Sequence, residues 1–292
     1  MHQTVRQAPA KLNLTLEVVG KRADGYHLLD SLVAFTDYGD TVTARAADTL
    51  TLTLDGPFGG ILVGDPMENL VLKAARLLAA EAGIAPRAAL ALTKRLPVAS
   101  GIGGGSSDAA ATLLALAELW HLTPTPEDLA RLALKLGADV PVCLAARTAR
   151  LEGIGERVTP APPVPAAPIV LVNPGVGLAT PKVFQARGGA FSTGAGRLGV
   201  LASSPADAAG LAAALGPYAN DLAAPAIALL PVIGQVLDRL SATEQCLIAR
   251  MSGSGATCFA LFPTDKAAAA AAAAITAAEP DWWAVATRLK AA

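Results

Sequence analysis

The sequence predicts an α+β protein with two domains, and three observations support this. Two N-terminal segments alternate apolar and polar residues with period two, as half-buried strands do. Alanine- and leucine-rich segments with helical spacing lie between and after them. The stretch Val158 to Pro168 (VTPAPPVPAAP) is dense in proline and reads as an interdomain connection. For 292 residues, at about 150 per domain, a boundary near residue 160 gives domains 1–160 and 161–292.

Leu12, Leu14, Leu16 and Val18 alternate with Asn13, Thr15, Glu17 and Val19, which predicts a strand over Lys11 to Val19. Leu50, Leu52 and Leu54 repeat the pattern against Thr51, Thr53 and Asp55. One wettable face on each predicts antiparallel sheet. Asn69 to Ala82 carries Leu70, Ala74, Leu77 and Leu78 on one side, a helix that Gly83 would stop. Leu90 and Leu92 mark a strand running toward Lys94 and Pro97. A glycine loop follows, then a helix from about Ser106 to about Leu122 and another over Leu129 to Leu136. The second half opens with an apolar strand, Ile169 to Val172, and carries MSGSGATCFALF at 251–262. A helix of almost pure alanine and a strand near Trp283 to Leu289 close it.

Composition excludes several classes. With 53% hydrophobic and 16% charged residues the chain is not disordered, and its 27 glycines follow no collagen period. Mean hydropathy is +0.46. The longest charge-free stretch, Val158 to Pro181, holds seven prolines, which a spanning helix does not tolerate. Net charge is −1 and the 23 basic residues are scattered, so no nucleic-acid footprint is visible. Cys143, Cys246 and Cys258 form no CxxC pair, and His2, His27 and His121 no i,i+4 pair. That argues against a zinc site and for a reducing compartment. The N-terminus lacks a secretory pattern. The expectation is a soluble cytoplasmic protein with no membrane or nucleic-acid partner.

The strongest local signal is Pro97 to Ala111, PVASGIGGGSSDAAA. Gly101, Gly103, Gly104 and Gly105 follow a strand and precede a helix. Glycines permit positive φ and let N–H groups converge without side chains in the way. Converging amides at a helix N-terminus form an anion cradle. Ser106 and Ser107 stand where a cap hydroxyl, a phosphate ligand or a Mg²⁺ ligand would stand. A flexible turn with Ser106 as an ordinary cap is the plain alternative. A Walker A loop needs a lysine after its last glycine, and the Rossmann spacing needs a glycine where Ser106 stands. The loop is a phosphate cradle of another kind.

Lys11, beside Leu12 and Leu14, is either an inward lysine that meets an anion or a solvated lysine at a strand edge. Asp139, in GADVPVCL, is either a desolvated acid in need of a cation or a turn acid before Pro141. Tyr26 and His27 suit stacking on a base and reading its edge, or a hairpin turn with a packed tyrosine. Phe184, in TPKVF, is a second stacking face or plain core.

Together these segments resemble the GHMP kinase superfamily. The likeness rests on APAKLNLTLEVVGKRADGYHLLDSLVAFTDYGDTV, PVASGIGGGSSDAA, GADVPVCL, NPGVGLATPKVF and MSGSGATCFALF, spread through both halves. PAKLNL, RADGYH and the lengthened GGGSSDA point to its diphosphocytidyl branch. The resemblance implies a ribosomal protein S5 domain 2-like N-terminal domain, with a rare left-handed βαβ crossover, and a GHMP C-terminal α/β sandwich. It implies that ATP, with Mg²⁺, phosphorylates the 2-hydroxyl of 4-(cytidine 5′-diphospho)-2-C-methyl-D-erythritol in non-mevalonate isoprenoid precursor synthesis.

By the same resemblance, Asp139 matches the family's catalytic acid and Lys11 its partner lysine. Pro97, Ala99, Gly101, Gly103, Gly104, Gly105, Ser106 and Ser107 match the ATP phosphate loop, with Ser107 as a metal ligand and Asn69 beside the adenine. Tyr26 and Phe184 match rings that sandwich cytosine, and His27 the group that reads its edge. Asn13 and Thr180 match polar positions near the erythritol and its phosphates. Gly253 and Gly255 would close the site from the second domain.

Departures from the family pattern are few. Ile102 replaces the usual leucine, a volume-conserving change. Asp108 stands where an asparagine or alanine occurs; its charge favours the helix N-terminus but would repel phosphates. The glutamate that many members use for Mg²⁺ has no match. A mevalonate-, homoserine- or galactose-type kinase is the nearest alternative, although it has no use for a base clamp. A silent nucleotide-binding module is another, and an S5-like nucleic-acid binder is disfavoured by the near-zero net charge. A monomer or weak homodimer is expected.

Overall fold

The computed structural model describes residues 3–61, 69–192, 201 and 203–291. The chain forms two compact units that interleave along the sequence. Met1–Ala10, Gly39–Val98 and Gly103–Ala146 make the first; Lys11–Tyr38, Ala99–Ile102 and Arg147–Ala292 make the second. Two strands, β1 (Gln3–Asn13) and β3 (His27–Arg45), each begin in one unit and end in the other. The boundary expected near residue 160 divides the sequence, not these compact units.

The first unit holds the start of β1, the end of β3, β4 (Thr51–Asp55) and β5 (Ala89–Thr93). β5 pairs antiparallel with β3, from Thr41↔Thr93 to Arg45↔Ala89, and parallel with β4, from Thr51↔Ala89 to Asp55↔Thr93. The parallel pair corrects the antiparallel sheet expected for Leu50 to Leu54. Between β4 and β5 the chain includes α1 (Leu70–Glu81), which supplies the length a parallel crossover needs.

Helices α2 (Gly104–Leu119), α3 (Pro126–Leu136) and α4 (Val140–Ala145) complete the unit. α1 starts where expected, with the Asn69 side chain accepting from the Val71 N–H at 2.9 Å. α3 begins three residues before the predicted Leu129, because Thr125 and Asp128 form a capping box around Pro126. α2 is apolar on most sides and accordingly buried at Ala109, Ala110, Leu113 and Leu116. It packs on α1 and α4.

The second unit contains the end of β1, β2 (Glu17–Lys21), the start of β3, β6 (Ala149–Gly153) and β7 (Arg157–Pro160). β2 and β3 form an antiparallel hairpin, and β6 pairs antiparallel with β3 and β7. Leu12, Leu14, Leu16 and Val18 are buried as the alternation predicts, but Asn13 and Thr15 are buried too. The segment is therefore covered on both sides, not half wet. Part of the proline-dense stretch also differs from expectation: Val158 to Pro160 belong to β7.

A second, fully antiparallel sheet runs in the order β11 (Trp283–Arg288), β8 (Pro168–Asn173), β10 (Cys258–Leu261), β9 (Ile248–Met251). Helices α5 (Thr180–Ala186), α6 (Ala208–Leu215), α7 (Ala223–Leu229), α8 (Val232–Ser241) and α9 (Asp265–Ala278) accompany it. The alanine helix α9 packs against β8 and β11. Val170, Val172, Ile233, Val236, Phe262 and Ile275 share one core cluster. No helix among the described residues is long and apolar enough to cross a membrane.

Candidate active site

In the second unit, Ala99–Ile102 of the glycine loop is fastened to the segment Ser252 to Thr257. The Ser100 carbonyl accepts from the Thr257 N–H at 3.1 Å, and the Gly101 carbonyl from the Ser252 hydroxyl at 3.1 Å. The Ile102 carbonyl accepts from the Lys11 N–H at 2.9 Å, tying the loop to β1. Glycine is required at this contact. A Cβ at Gly101 would lie 2.6 Å from the Gly255 carbonyl oxygen, and one at Gly253 2.6 Å from that of Gly101. Both residues also have positive φ, 76° and 54°. Ala99 adopts φ 51°, a conformation uncommon for a side-chain-bearing residue.

Lys11 is 3% exposed, which excludes the solvated-edge alternative. Asn13, two residues on, is also buried. Its side-chain N–H donates to Ser31 Oγ at 2.8 Å and its backbone N–H to Ser252 Oγ at 3.1 Å. Ser31 in turn donates to the Thr15 carbonyl at 2.5 Å.

The β2–β3 hairpin explains the GYH segment. Arg22 N–H donates to the Tyr26 carbonyl at 2.7 Å, and Gly25 turns the chain with φ 92°. Tyr26 is left 61% exposed at the tip, and His27 opens β3. Phe184 on α5 stacks on His27 with ring centroids 5.2 Å apart at 20°. Phe184 also borders the core, as the plain-core alternative expects. Burial first, then Lys21 and Arg187, push His27 below the usual imidazole range. Its ring is therefore neutral near pH 7. Thr180 Oγ1 and the buried Ser254 Oγ share a hydrogen bond of 2.7 Å.

In the first unit, the remaining glycines open α2. Gly103, with φ 63°, occupies the N-cap position and no side chain caps the first turn. The helix starts at Gly104, two residues before the predicted Ser106, so the ordinary-cap alternative does not hold. First-turn N–H groups without a side-chain cap, with glycines around them, leave the backbone open to an incoming acceptor. Gly105 is exposed and Ser106 half-buried, while Pro97 is buried.

Ser107 is a correction. It is 1% exposed and its hydroxyl donates to the Pro9 carbonyl at 2.7 Å, with Cys143 Sγ at 3.4 Å. A hydroxyl turned into the core is no metal ligand. Among the described residues no group of three or more His, Cys, Asp or Glu could hold a metal ion.

Asp108 is a second correction, since its charge faces inward, not toward a ligand. Lys94 Nζ donates to Asp108 Oδ2 at 2.7 Å and also to Asp40 Oδ2, all three side chains being buried. Asp40 Oδ1 accepts from the backbone N–H groups of Arg95 at 2.5 Å and Leu96 at 2.8 Å. Burial pushes Asp108 up to about 7; Lys94 works against this and Asp40 adds to it. Burial works to lower Lys94, but the two carboxylates outweigh it and raise the ammonium above its usual range. Asp40 lies within β3 in the polar run DYGDT and Lys94 directly follows β5 beside Arg95, so no local sequence signal singles either out.

Asp139 occupies the N-cap position of α4, half-buried, and makes no capping hydrogen bond to that helix. It stands in a turn directly before that helix and is not fully desolvated, so the two readings of Asp139 both stay open. Asn69 has a full structural role in capping α1, so an adenine contact is not needed to account for it. Lys11 and Asp139 fall in different compact units.

The description "GHMP kinases N terminal domain" matches residues 69–147, and "GHMP kinases C terminal" matches residues 203–281. The chain is 55% identical to the 4-diphosphocytidyl-2-C-methyl-D-erythritol kinase of Paramagnetospirillum magneticum, over 97% of each chain. It is 50% identical to that of Rhodospirillum rubrum, over 98% of this chain and 92% of the relative. A crystal structure of 4-(cytidine 5′-diphospho)-2C-methyl-D-erythritol kinase superposes with a TM-score of 0.81 at 36% identity, covering 98% of both chains. Homoserine kinase from Cytophaga hutchinsonii shares the fold, with a TM-score of 0.76 at 19% identity over 100% of this chain and 95% of its own. With both family segments present in the expected order and relatives matching almost end to end, the chain belongs to the GHMP kinases and is an ATP-dependent small-molecule kinase.

Proposed function

We propose that the chain transfers the γ-phosphoryl group of ATP to the 2-hydroxyl of 4-(cytidine 5′-diphospho)-2-C-methyl-D-erythritol, releasing ADP and the 2-phosphate. The observation that carries this reading is the aromatic platform of the second unit. A neutral His27 stacked on Phe184, with an exposed Tyr26 beside it, suits a pyrimidine base. Base stacking is worth about 1–3 kcal/mol, and mevalonate, homoserine and galactose have no base to use it. Names of relatives half-identical to this chain support the same substrate.

Asp139 accepts the proton of the 2-hydroxyl as its oxygen attacks the γ-phosphorus, and the bond to the β-bridging oxygen breaks. Lys11, buried in the second unit, is in this reading the partner lysine that the family resemblance assigns to that acid. The uncapped N–H groups at the start of α2 hold the phosphates, and much of the rate enhancement comes from alignment and charge neutralisation. Asn13 and Thr180 contact the erythritol and its phosphates. Mg²⁺ would be carried on the triphosphate, where it would offset phosphate charge. Residues 1–160 and 161–292 are the family's two domains in sequence terms.

ADP release measured with the cytidylated erythritol beside mevalonate, homoserine and galactose tests the substrate. Turnover of only the latter three rejects it. Asp139→Asn is expected to lower kcat by about 10²–10⁴-fold while calorimetry still shows MgATP binding. Unchanged turnover removes Asp139 from its role.

A further inference from the structure

We infer that Ser252 is a positioning residue that sets the strand carrying Lys11 and Asn13 in fixed relation to the glycine loop. Its hydroxyl accepts from the Asn13 backbone N–H at 3.1 Å and donates to the Gly101 carbonyl at 3.1 Å. One atom thus joins positions 239 and 151 residues away in sequence, and the residue is fully buried. The bond to Asn13 is buried and that to Gly101 partly so.

Ser252 is itself held. Its N–H donates to the Thr257 carbonyl at 2.9 Å and its carbonyl accepts from the Gly255 N–H at 3.0 Å. Asn220 donates from its side-chain nitrogen to the carbonyls on either side, Met251 and Gly253, both at 2.8 Å. Asn220 sits in a segment bonded to the continuation of β1, through Leu16 N–H to Ala219 and Asp221 N–H to Leu16. The hydroxyl therefore projects from a frame anchored on Asn220 and, through the Thr257 N–H to the Ser100 carbonyl, on the loop itself.

The chemical need is plain. Lys11 and the loop act on the same transferred phosphoryl group in the function proposed above, on which this inference rests. Misplacement of a reacting group by about 1 Å lowers rate by about 10²-fold. The Lys11 N–H bond to Ile102 fixes one point of the strand on the loop, and a single hinge point permits rotation. Ser252 supplies the second point, two residues along the strand and one along the loop.

The test compares wild type, Ser252→Ala and Ser252→Thr by steady-state kinetics, thermal melting and amide hydrogen exchange. Ser252→Ala is expected to lower kcat by about 10–10²-fold with KM for ATP changed less than about threefold. Exchange should quicken at the Asn13 amide while the amides of β8 and β10 keep their protection. Ser252→Thr, which keeps the hydroxyl, should recover more activity than Ser252→Ala at equal or lower melting temperature. Full kcat in Ser252→Ala with a faster Asn13 amide overturns the inference. So does a kcat loss accompanied by faster exchange throughout the second unit, which marks a merely structural role. A wild type inactive on the cytidylated erythritol overturns the proposed function instead, and is distinguished by the reference measurement itself.

Discussion

The two stretches of the glycine loop are immobilised by opposite kinds of chemistry. Ala99–Ile102 is gripped by neutral main-chain and hydroxyl hydrogen bonds and by glycine-to-glycine contact with Ser252–Thr257. Gly103–Ser107 opens α2 over a dry cluster of one ammonium and two carboxylates. The first arrangement is intolerant of added atoms. The second is intolerant of lost charge.

Substitutions at the two stretches should separate these modes. Gly101→Ala has the largest expected effect, because a Cβ there meets backbone oxygens at 2.6 and 2.7 Å and φ is positive. Urea unfolding should show a loss of more than about 4 kcal/mol, or no folded protein. Lys94→Met comes next, at about 3–5 kcal/mol, since it strands two buried carboxylates; adding Asp108→Asn should restore part of this. A Lys94→Met protein as stable as wild type would refute the charge-based account.

Asp108→Asn alone sharpens the picture through pH. The folded chain holds a proton on Asp108 up to about pH 7, whereas the unfolded chain releases it near 3.8. Wild-type stability is then fullest below the unfolded value, falls as pH rises toward 7, and levels off above. The variant should lack that decline, a difference of up to about 1.4 kcal/mol per pH unit in melts taken across pH 4 to 7. The smallest effect is at Gly105→Ala. Its Cβ meets only Leu70 Cδ1 at 3.4 Å, and the position is helical, so stability should rise by up to about 1 kcal/mol.

Much of this was legible in the residues. The burial of Leu12, Leu14, Leu16 and Val18, the Asn69 cap and the strand at Ile169 follow from local chemistry and stand in the structure. The single strand expected over Lys11 to Val19 is nevertheless divided between β1, ending at Asn13, and β2, starting at Glu17. The quoted motifs also sufficed to indicate the family. What could not be read was decided by distant partners. Leu52 and Leu54 look the same in a parallel or an antiparallel pair, and only the length of chain before β5 distinguishes them. Nothing local tells Ser106 from Ser107; the Pro9 carbonyl, contributed by β1, does. Asp108 likewise looks like a helix-start acid until Lys94 and Asp40 are brought beneath it.

The bare start of α2 has an effect reaching beyond any single turnover. In the function proposed above the phosphates of ATP complete the head of that helix, and a protein so completed is tighter when occupied than when vacant. Occupancy at a hundredfold excess over Kd adds about 2.7 kcal/mol. Resistance to heat and to proteases would then rise and fall with the supply of phosphate-bearing metabolite, making durability of the enzyme a function of its own fuel.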